Sequence, residues 1–301
     1  MDRKGVLYAI GAYVMWGLFP LYWKQLESVP ALQIIGHRIG WSFILLLLVV
    51  LATRQWEAFR AAAGDRRIIR IYLAAALLIT ANWFTYVWAV NQGFVVETSL
   101  GYYINPLFSV LLGVTVFRER LRPVQWTPIV LAALGVLYLT FTYGALPWIA
   151  LTLAFTFGLY GMVKKMAPLG ALHGLTLETG LMFIPALAYL AWCEFTGQGA
   201  FLHSGLRADW MMVGAGLVTT VPLLLFSSAA PRVPLTLIGI LQYINPTMQF
   251  LLGVLVYREP FTHARMIGFG LVWAGLILFW AEGLYARRML APEPAPEIGE
   301  G

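Results

Sequence analysis

The chain has 301 residues, of which 60% are hydrophobic and 11% charged, with a mean hydropathy of +0.76. Soluble domains carry roughly 25% charged residues, so this composition excludes a water-soluble fold and makes lipid the solvent for much of the chain. The net charge of +6 does not indicate nucleic-acid binding, because the basic residues lie in short breaks between apolar runs.

A spanning helix takes about 20 mostly apolar residues. On that measure the sequence predicts ten spans, over 5–23, 31–52, 69–90, 95–117, 125–142, 147–163, 171–193, 210–230, 234–256 and 265–282. No A-x-A cleavage site follows Met1-Asp2-Arg3-Lys4, so the first run reads as a transmembrane helix rather than a leader. Ser28-Val29-Pro30, Arg122-Pro123, Gly144-Ala145-Leu146-Pro147, Pro168-Leu169-Gly170 and the stretch from Pro231 to Pro234 supply the turns. Residues 287–301 lack apolar periodicity and read as a disordered cytoplasmic tail. Cys193 is the single cysteine, which rules out an intramolecular disulfide or a thiolate metal cluster. Neither a metal nor a cofactor is expected.

Basic residues set the orientation. With the N-terminus inside, 15 of the 20 Lys and Arg fall in cytoplasmic segments and 4 outside (Lys24, Arg207, Arg258 and Arg265), with Arg38 inside a span. Both termini are therefore expected in the cytoplasm of a bacterial inner-membrane protein.

The second half repeats the first. Tyr103-Ile104-Asn105-Pro106 recurs 140 residues later as Tyr243-Ile244-Asn245-Pro246, and 11 of the 17 positions from 103 to 119 are identical at that offset. The match includes Arg118-Glu119 with Arg258-Glu259. Five spans per half make the second copy enter from the opposite face. The expected fold is thus an all-α integral membrane protein of ten transmembrane helices built as two inverted five-helix repeats, residues 1–145 and 146–286.

These residues resemble a known family. The Tyr-Ile-Asn-Pro segments, the Arg-Glu after each and the five-plus-five repeat resemble the EamA-type drug/metabolite transporter superfamily. Tyr8-Ala9-Ile10-Gly11-Ala12-Tyr13, Trp16-Gly17, His37-Arg38 and Gly101-Tyr102-Tyr103-Ile104-Asn105-Pro106 look more narrowly like its RarD-type members. The resemblance covers the chain apart from its tail. It implies a permease or exporter of a small metabolite or drug-like compound, with a chloramphenicol-related substrate suggested by the RarD name.

Several residues are candidates for a substrate cavity. Asn105 and Asn245 fall near mid-membrane, where Pro106 and Pro246 each remove a helical bond to the carbonyl four residues earlier, on Tyr102 and Gln242. Asn82, with Trp83 and Tyr86, also lies at depth, and its counterpart at the 140-residue offset is Pro222, a third expected kink. The simpler reading is that Asn82 bonds to a neighbouring helix. Tyr13, Trp16, Tyr102, Tyr103 and Tyr243 lie close enough to these polar breaks to stack a flat substrate. His37-Arg38 places a charge about 10 Å into its span, by helical rise, so Arg38 needs a carboxylate, a cavity or a route to snorkel outward. Glu97 is the acid expected nearest its depth. At the repeat offset Arg38 aligns with Glu178, the candidate coupling group, for which Lys164, Lys165 or Thr176 are alternative structural partners. Proton or ion coupling and the oligomeric state stay open.

The alternative is an intramembrane enzyme acting on a lipid or lipid-linked substrate. The sequence holds no H-E-x-x-H, G-x-S-x-G or P-loop, and its four histidines are scattered, so no enzymatic role is expected.

Overall fold

The computed structural model describes residues 2–92, 94–143 and 147–257, with scattered helical positions between 266 and 281. Every regular element among the described residues is a helix. In order these are α1 (Arg3–Gly17), α2 (Phe19–Trp23), a 3-10 turn (Lys24–Leu26), α3 (Ala31–Ala52), α4 (Trp56–Gly64), α5 (Arg66–Asn91) and α6 (Val95–Thr115). After them come α7 (Pro123–Tyr143), α8 (Trp148–Met166), α9 (Ala171–Phe195), α10 (Leu206–Ala229), α11 (Leu235–Gln242), α12 (Ile244–Leu251) and a π turn (Leu252–Val256). Residues 1–119 with 145–260 form one compact unit, and 120–144 with 261–301, including α7, form a second. All contacts described below lie within the first.

Among the described residues six segments are long and apolar enough to cross a membrane: 3–26, 31–52, 66–89, 148–166, 171–195 and 206–229. Their outer surfaces carry Leu7, Leu48, Phe84, Ile184 and Leu217, all exposed. In water such surface drives association, whereas against lipid it is ordinary solvent contact.

Local chemistry places the helix ends. Asp2 caps α1 by accepting from the backbone N–H groups of Lys4 and Gly5 at 2.9 and 3.4 Å. Pro30, Pro147 and Pro234 each immediately precede a helix. The short helix α4 was not expected from the apolar runs. It is too short to span, and it buries Phe59 in a cluster with Val50, Tyr72 and Leu177.

The two Asn-Pro segments behave differently. Helix α6 runs unbroken across Pro106, while its counterpart divides at Tyr243 into α11 and α12. Pro246 has no N–H to offer Gln242, the last residue of α11, so the break falls where the missing bond predicts. Pro222 is accommodated inside α10. The predicted span 265–282 lies outside the described residues apart from isolated helical positions.

Helix α3 packs against α9 and α10, α6 against α8 and α11, α5 against α8 and α9, and α1 against α10 and α12. Two glycines permit the closest crossings. A Cβ on Gly216 of α10 would lie 2.5 Å from Trp41 Cβ and 2.6 Å from its carbonyl carbon, and Ser42 Oγ donates to Gly216 O at 3.1 Å across the same seam. A Cβ on Gly239 of α11 would lie 2.6 Å from Pro106 O. Small residues let backbones approach in lipid, where helix association draws on packing and hydrogen bonds rather than on water.

The end of the bundle that carries Lys164, Lys165 and Arg232 is fastened by charge. Lys164 Nζ meets Glu178 Oε1 at 2.5 Å, with both side chains 3% exposed, and Tyr160 OH donates to Glu178 Oε2 at 3.1 Å. Glu119, just beyond α6, accepts from the N–H groups of Leu235 and Thr236 at 2.7 and 2.9 Å, capping α11. Lys165 Nζ donates to Val233 O at 2.7 Å and lies 3.7 Å from Glu119 Oε1. Arg118, also just beyond α6, is exposed, with a left-handed φ of 53°. The carboxylate after it does the fastening, on another helix.

Replacing Gly216 by Ala is expected to destabilise the protein by about 1–3 kcal/mol, because backbone cannot yield as a flexible side chain does. Gly40, whose Cβ would meet nothing within 4 Å, should tolerate Ala without loss. Thermal melting of the purified variants in detergent compares the two. At the buried pair, Lys164→Met or Glu178→Gln alone should cost about 3–5 kcal/mol, and the double substitution less than either. Additive losses in the same assay would show that the two charges do not depend on each other.

Candidate functional site

A cavity of about 700 Å³ runs through the larger unit. It reaches from the loop around Lys24, Glu27 and Pro30 down to Trp16, Phe157 and Leu223. Trp16, Arg38, Asn82, Trp83, Tyr86, Tyr102, Asn105, Gln242 and Asn245, all expected in a cavity, do line it.

Arg38 is its central charge. The guanidinium carbon lies 4.3 Å from the Trp83 ring centre, 4.8 Å from Trp23 and 5.9 Å from Phe19, and Nε donates to Thr219 Oγ1 at 2.9 Å. Cation–π contact of this kind orients a guanidinium and holds it without cancelling its charge. Among the described residues no carboxylate lies within 4.0 Å of it. The side chain of Glu97, its expected partner, lies outside the described residues.

The amides divide into bonded and unbonded groups. Asn82 Nδ2 donates to Leu153 O and to Thr156 Oγ1, both at 2.9 Å. It therefore ties α5 to α8 while also facing the cavity, so the structural and the lining readings both hold. Asn245 Oδ1 accepts from Gln249 Nε2 at 2.9 Å. Asn105 is not helped in this way, because the residue at its offset-equivalent of Gln249 is Ser109, which is too short. Asn105 Oδ1 and Gln242 Oε1 are buried acceptors without a hydrogen-bond partner among the described residues.

Five candidates lie elsewhere. Tyr13 is fully buried in the core, 5.6 Å from the Trp16 ring. His37, buried on another face of α3, packs on Phe201 at 5.1 Å. Tyr103 and Tyr243 meet each other, with Tyr243 OH donating to Tyr103 O at 3.3 Å. Glu178 is remote from the lining and holds Lys164, the first of the alternative structural partners considered for it.

Phe19, Trp23, Lys24, Phe157, Gln249 and Tyr257 line the cavity without having been singled out. A signal for two of them was present. Trp16, Phe19 and Trp23 recur at i, i+3 and i+7, the spacing of one helix face, which continues here from α1 through α2. Tyr257 is brought in from the far end of the chain, with Lys24 Nζ 3.9 Å above its ring.

Below the cavity lies an aromatic layer that runs from Trp16 and Phe157 of its lining to Tyr160 beside the fastened end. Trp16, Phe157, Tyr160 and Phe226 meet at ring separations of 5.5–6.0 Å, with Tyr160 and Phe226 stacked at 14°. Beyond Tyr160 stands the Lys164–Glu178 pair. The arrangement can hold a ligand against aromatic faces beside a fixed cation while blocking through-flow.

The model of the EamA-like transporter family matches this chain over residues 3–141 and again over 146–281. The chain is 48% identical to the uncharacterized transporter YojE of Bacillus subtilis, covering 92% of this chain and 93% of that one. It is 45% identical to protein RarD of Streptomyces exfoliatus, over 96% and 92% of the two chains. The chloramphenicol-sensitive protein RarD of Pseudomonas aeruginosa is 30% identical, over 92% and 94%. A solved crystal structure, 19% identical, shares the fold with a TM-score of 0.68 over 96% of this chain and 100% of that one. With six helices able to span, these relatives make the protein a multi-pass membrane protein, and the chain belongs to the EamA-like transporter family as a RarD-like member.

Proposed function

We propose that the protein is a secondary transporter of a small metabolite or drug-like compound, working by alternating access between two inverted five-helix repeats of a ten-span bundle. The observation that carries this reading is the cavity itself, reaching one end of the bundle and stopped toward the other by aromatic rings, a buried ion pair and a capped helix end.

The inverted repeat is supported by contacts between equivalent residues. Tyr103 meets Tyr243, and the rings of Phe43 and Phe183 lie 4.9 Å apart, each pair being 140 positions apart in sequence. Residues related by a two-fold axis touch only beside that axis. Helix pairs follow the same rule, since α3 packs on its counterpart α9 and α6 on its counterpart α11. The α1–α10 contact likewise has its partner in α5–α8.

The fastened end would then be the cytoplasmic gate, closed in this state. Opening it requires α11 to leave the Glu119 carboxylate. That carboxylate is a charge-assisted cap and so a point of control. A compound related to chloramphenicol is the substrate that the Pseudomonas relative's name suggests. In a cavity of about 700 Å³ size does not exclude it.

The topology is open to a direct test. In a Cys193→Ser background, cysteines at Glu27 and Gly199 should react in intact cells with an impermeant thiol reagent, and one at Arg66 should not; labelling at Arg66 would reverse the orientation. The gate has its own test. Glu119→Ala removes a helix cap, a change of about 0.5–2 kcal/mol, so a cysteine at buried Ser227 should label about 2- to 30-fold faster in membranes carrying that variant. An unchanged rate would deny Glu119 any part in closure.

A further inference from the structure

We propose that the cavity takes organic anions, with a carboxylate of the substrate held in the fork of Arg38 and an unsaturated body laid against the rings around it. This rests on the transporter reading and narrows its substrate class.

The charge balance comes first. Among the described residues two cations, Lys24 and Arg38, line the cavity against one carboxylate, Glu27. Arg38 has five N–H donors, and the single hydrogen bond found for it goes from Nε to Thr219. The Nη edge is the part of a guanidinium that matches the two oxygens of a carboxylate. Trp83 and Trp23 pack against the guanidinium at 4.3 and 4.8 Å, and Thr219 fixes Nε, so the group is held ready rather than free to seek water.

The repeat supplies a comparison. The residue equivalent to Arg38 is Glu178, and its charge is answered inside the protein by Lys164 at 2.5 Å. Arg38 faces a cavity where, among the described residues, no carboxylate stands within 4.0 Å. A charge kept at depth without a protein partner is costly unless something that enters the cavity completes it. A neutral amphenicol would leave the charge unanswered, and an organic cation would oppose it.

The rest of the lining describes the remainder of the ligand. Asn105 Oδ1 and Gln242 Oε1, in residues 4% and 3% exposed, are acceptors with nothing to accept from. They suit N–H or O–H donors on the body of the molecule. Tyr86, Tyr102 and Trp16 offer faces for a flat ring.

Three probes that share one ring and differ in charge decide the matter: indole-3-acetate, indole-3-acetamide and tryptamine. Their affinities for the full chain purified in detergent are read from ligand-induced thermal shifts. Indole-3-acetate should bind at least about tenfold tighter than the amide, and tryptamine more weakly than either. Arg38→Gln should remove the preference for the anion, and Arg38→Lys, which keeps the charge but not the fork, should retain part of it. Unliganded melting and gel filtration establish that the Gln variant is folded. If it is not, the Lys variant and the three-probe order on the native chain carry the test. Equal affinity for acetate and amide, an unchanged preference in the Gln variant, or binding of none of the probes would overturn the proposal. Counterflow in proteoliposomes separates the two layers. Exchange of the amide but not the acetate would sink the anion site and leave the transporter. Arg38-dependent binding of acetate with no counterflow would do the reverse.

Discussion

In lipid a polar group has no solvent to fall back on, so each one folded into the bundle must find its partner on a neighbouring helix. Most of this structure follows from that constraint. Asn82 bonds α5 to α8, Ser42 bonds α3 to α10, and Gln33 reaches both Gln198 O and the Ala200 N–H to fix the turn after α9. Lys164 and Glu178 neutralise each other where neither could be hydrated. Of the buried polar atoms without a partner among the described residues, Asn105 Oδ1 and Gln242 Oε1 line the same cavity as Arg38, while Tyr13 OH, His173 Nε2 and Thr220 Oγ1 lie away from it.

The same constraint would let the proposed gate be both firm and reversible. An apolar seal in lipid gains little from exclusion of water, because the alternative environment is also apolar. The rings of Tyr160 and Phe226 block the path by shape. Glu119 contributes direction, since its two bonds to the start of α11 exist only while α6 and α11 are aligned at that end. Capping a helix by the carboxylate of another couples their positions without a covalent tie, and the bonds can be replaced by water when that end opens.

Much of the fold was legible because apolar runs of spanning length need no tertiary information. The runs at 31–52 and 171–193 coincide with α3 and nearly with α9. Legibility failed where local sequence is answered from afar. Pro106 and Pro246 sit in identical tetrapeptides, yet only the second breaks its helix. Helix α4 escaped notice because Glu57 and Arg60 interrupt its apolar content, and its one buried anchor, Phe59, declares itself only against Tyr72 and Leu177. The site was legible by depth, which picked out Asn82, Asn105 and Asn245, but not by direction. His37 and Arg38 are neighbours about 100° apart around a helix, so one packs on Phe201 while the other enters the cavity.

In the proposed reading, duplication gives this protein its frame, and departures from duplication give it a binding site. A perfect inverted repeat would present the same groups on both sides of its axis and could hold a substrate only symmetrically. Here Arg38 stands where the second copy has Glu178, and Ser109 stands where it has Gln249. The first exchange separates a charge answered within the protein from one that faces the cavity. The second leaves Asn105 Oδ1 unbonded while Asn245 Oδ1 is held. Both exchanges leave the unanswered group on the first repeat and the internally bonded one on the second. A ligand gripped through Arg38 and Asn105 would therefore travel with the first repeat's helices, α3 and α6, while Glu178 keeps the second repeat's α8 and α9 together as a body. Gln242 Oε1, on the second repeat's α11, would keep one polar contact across the axis, so that in the proposed rocking of one half against the other the charged contact belongs to the first repeat alone.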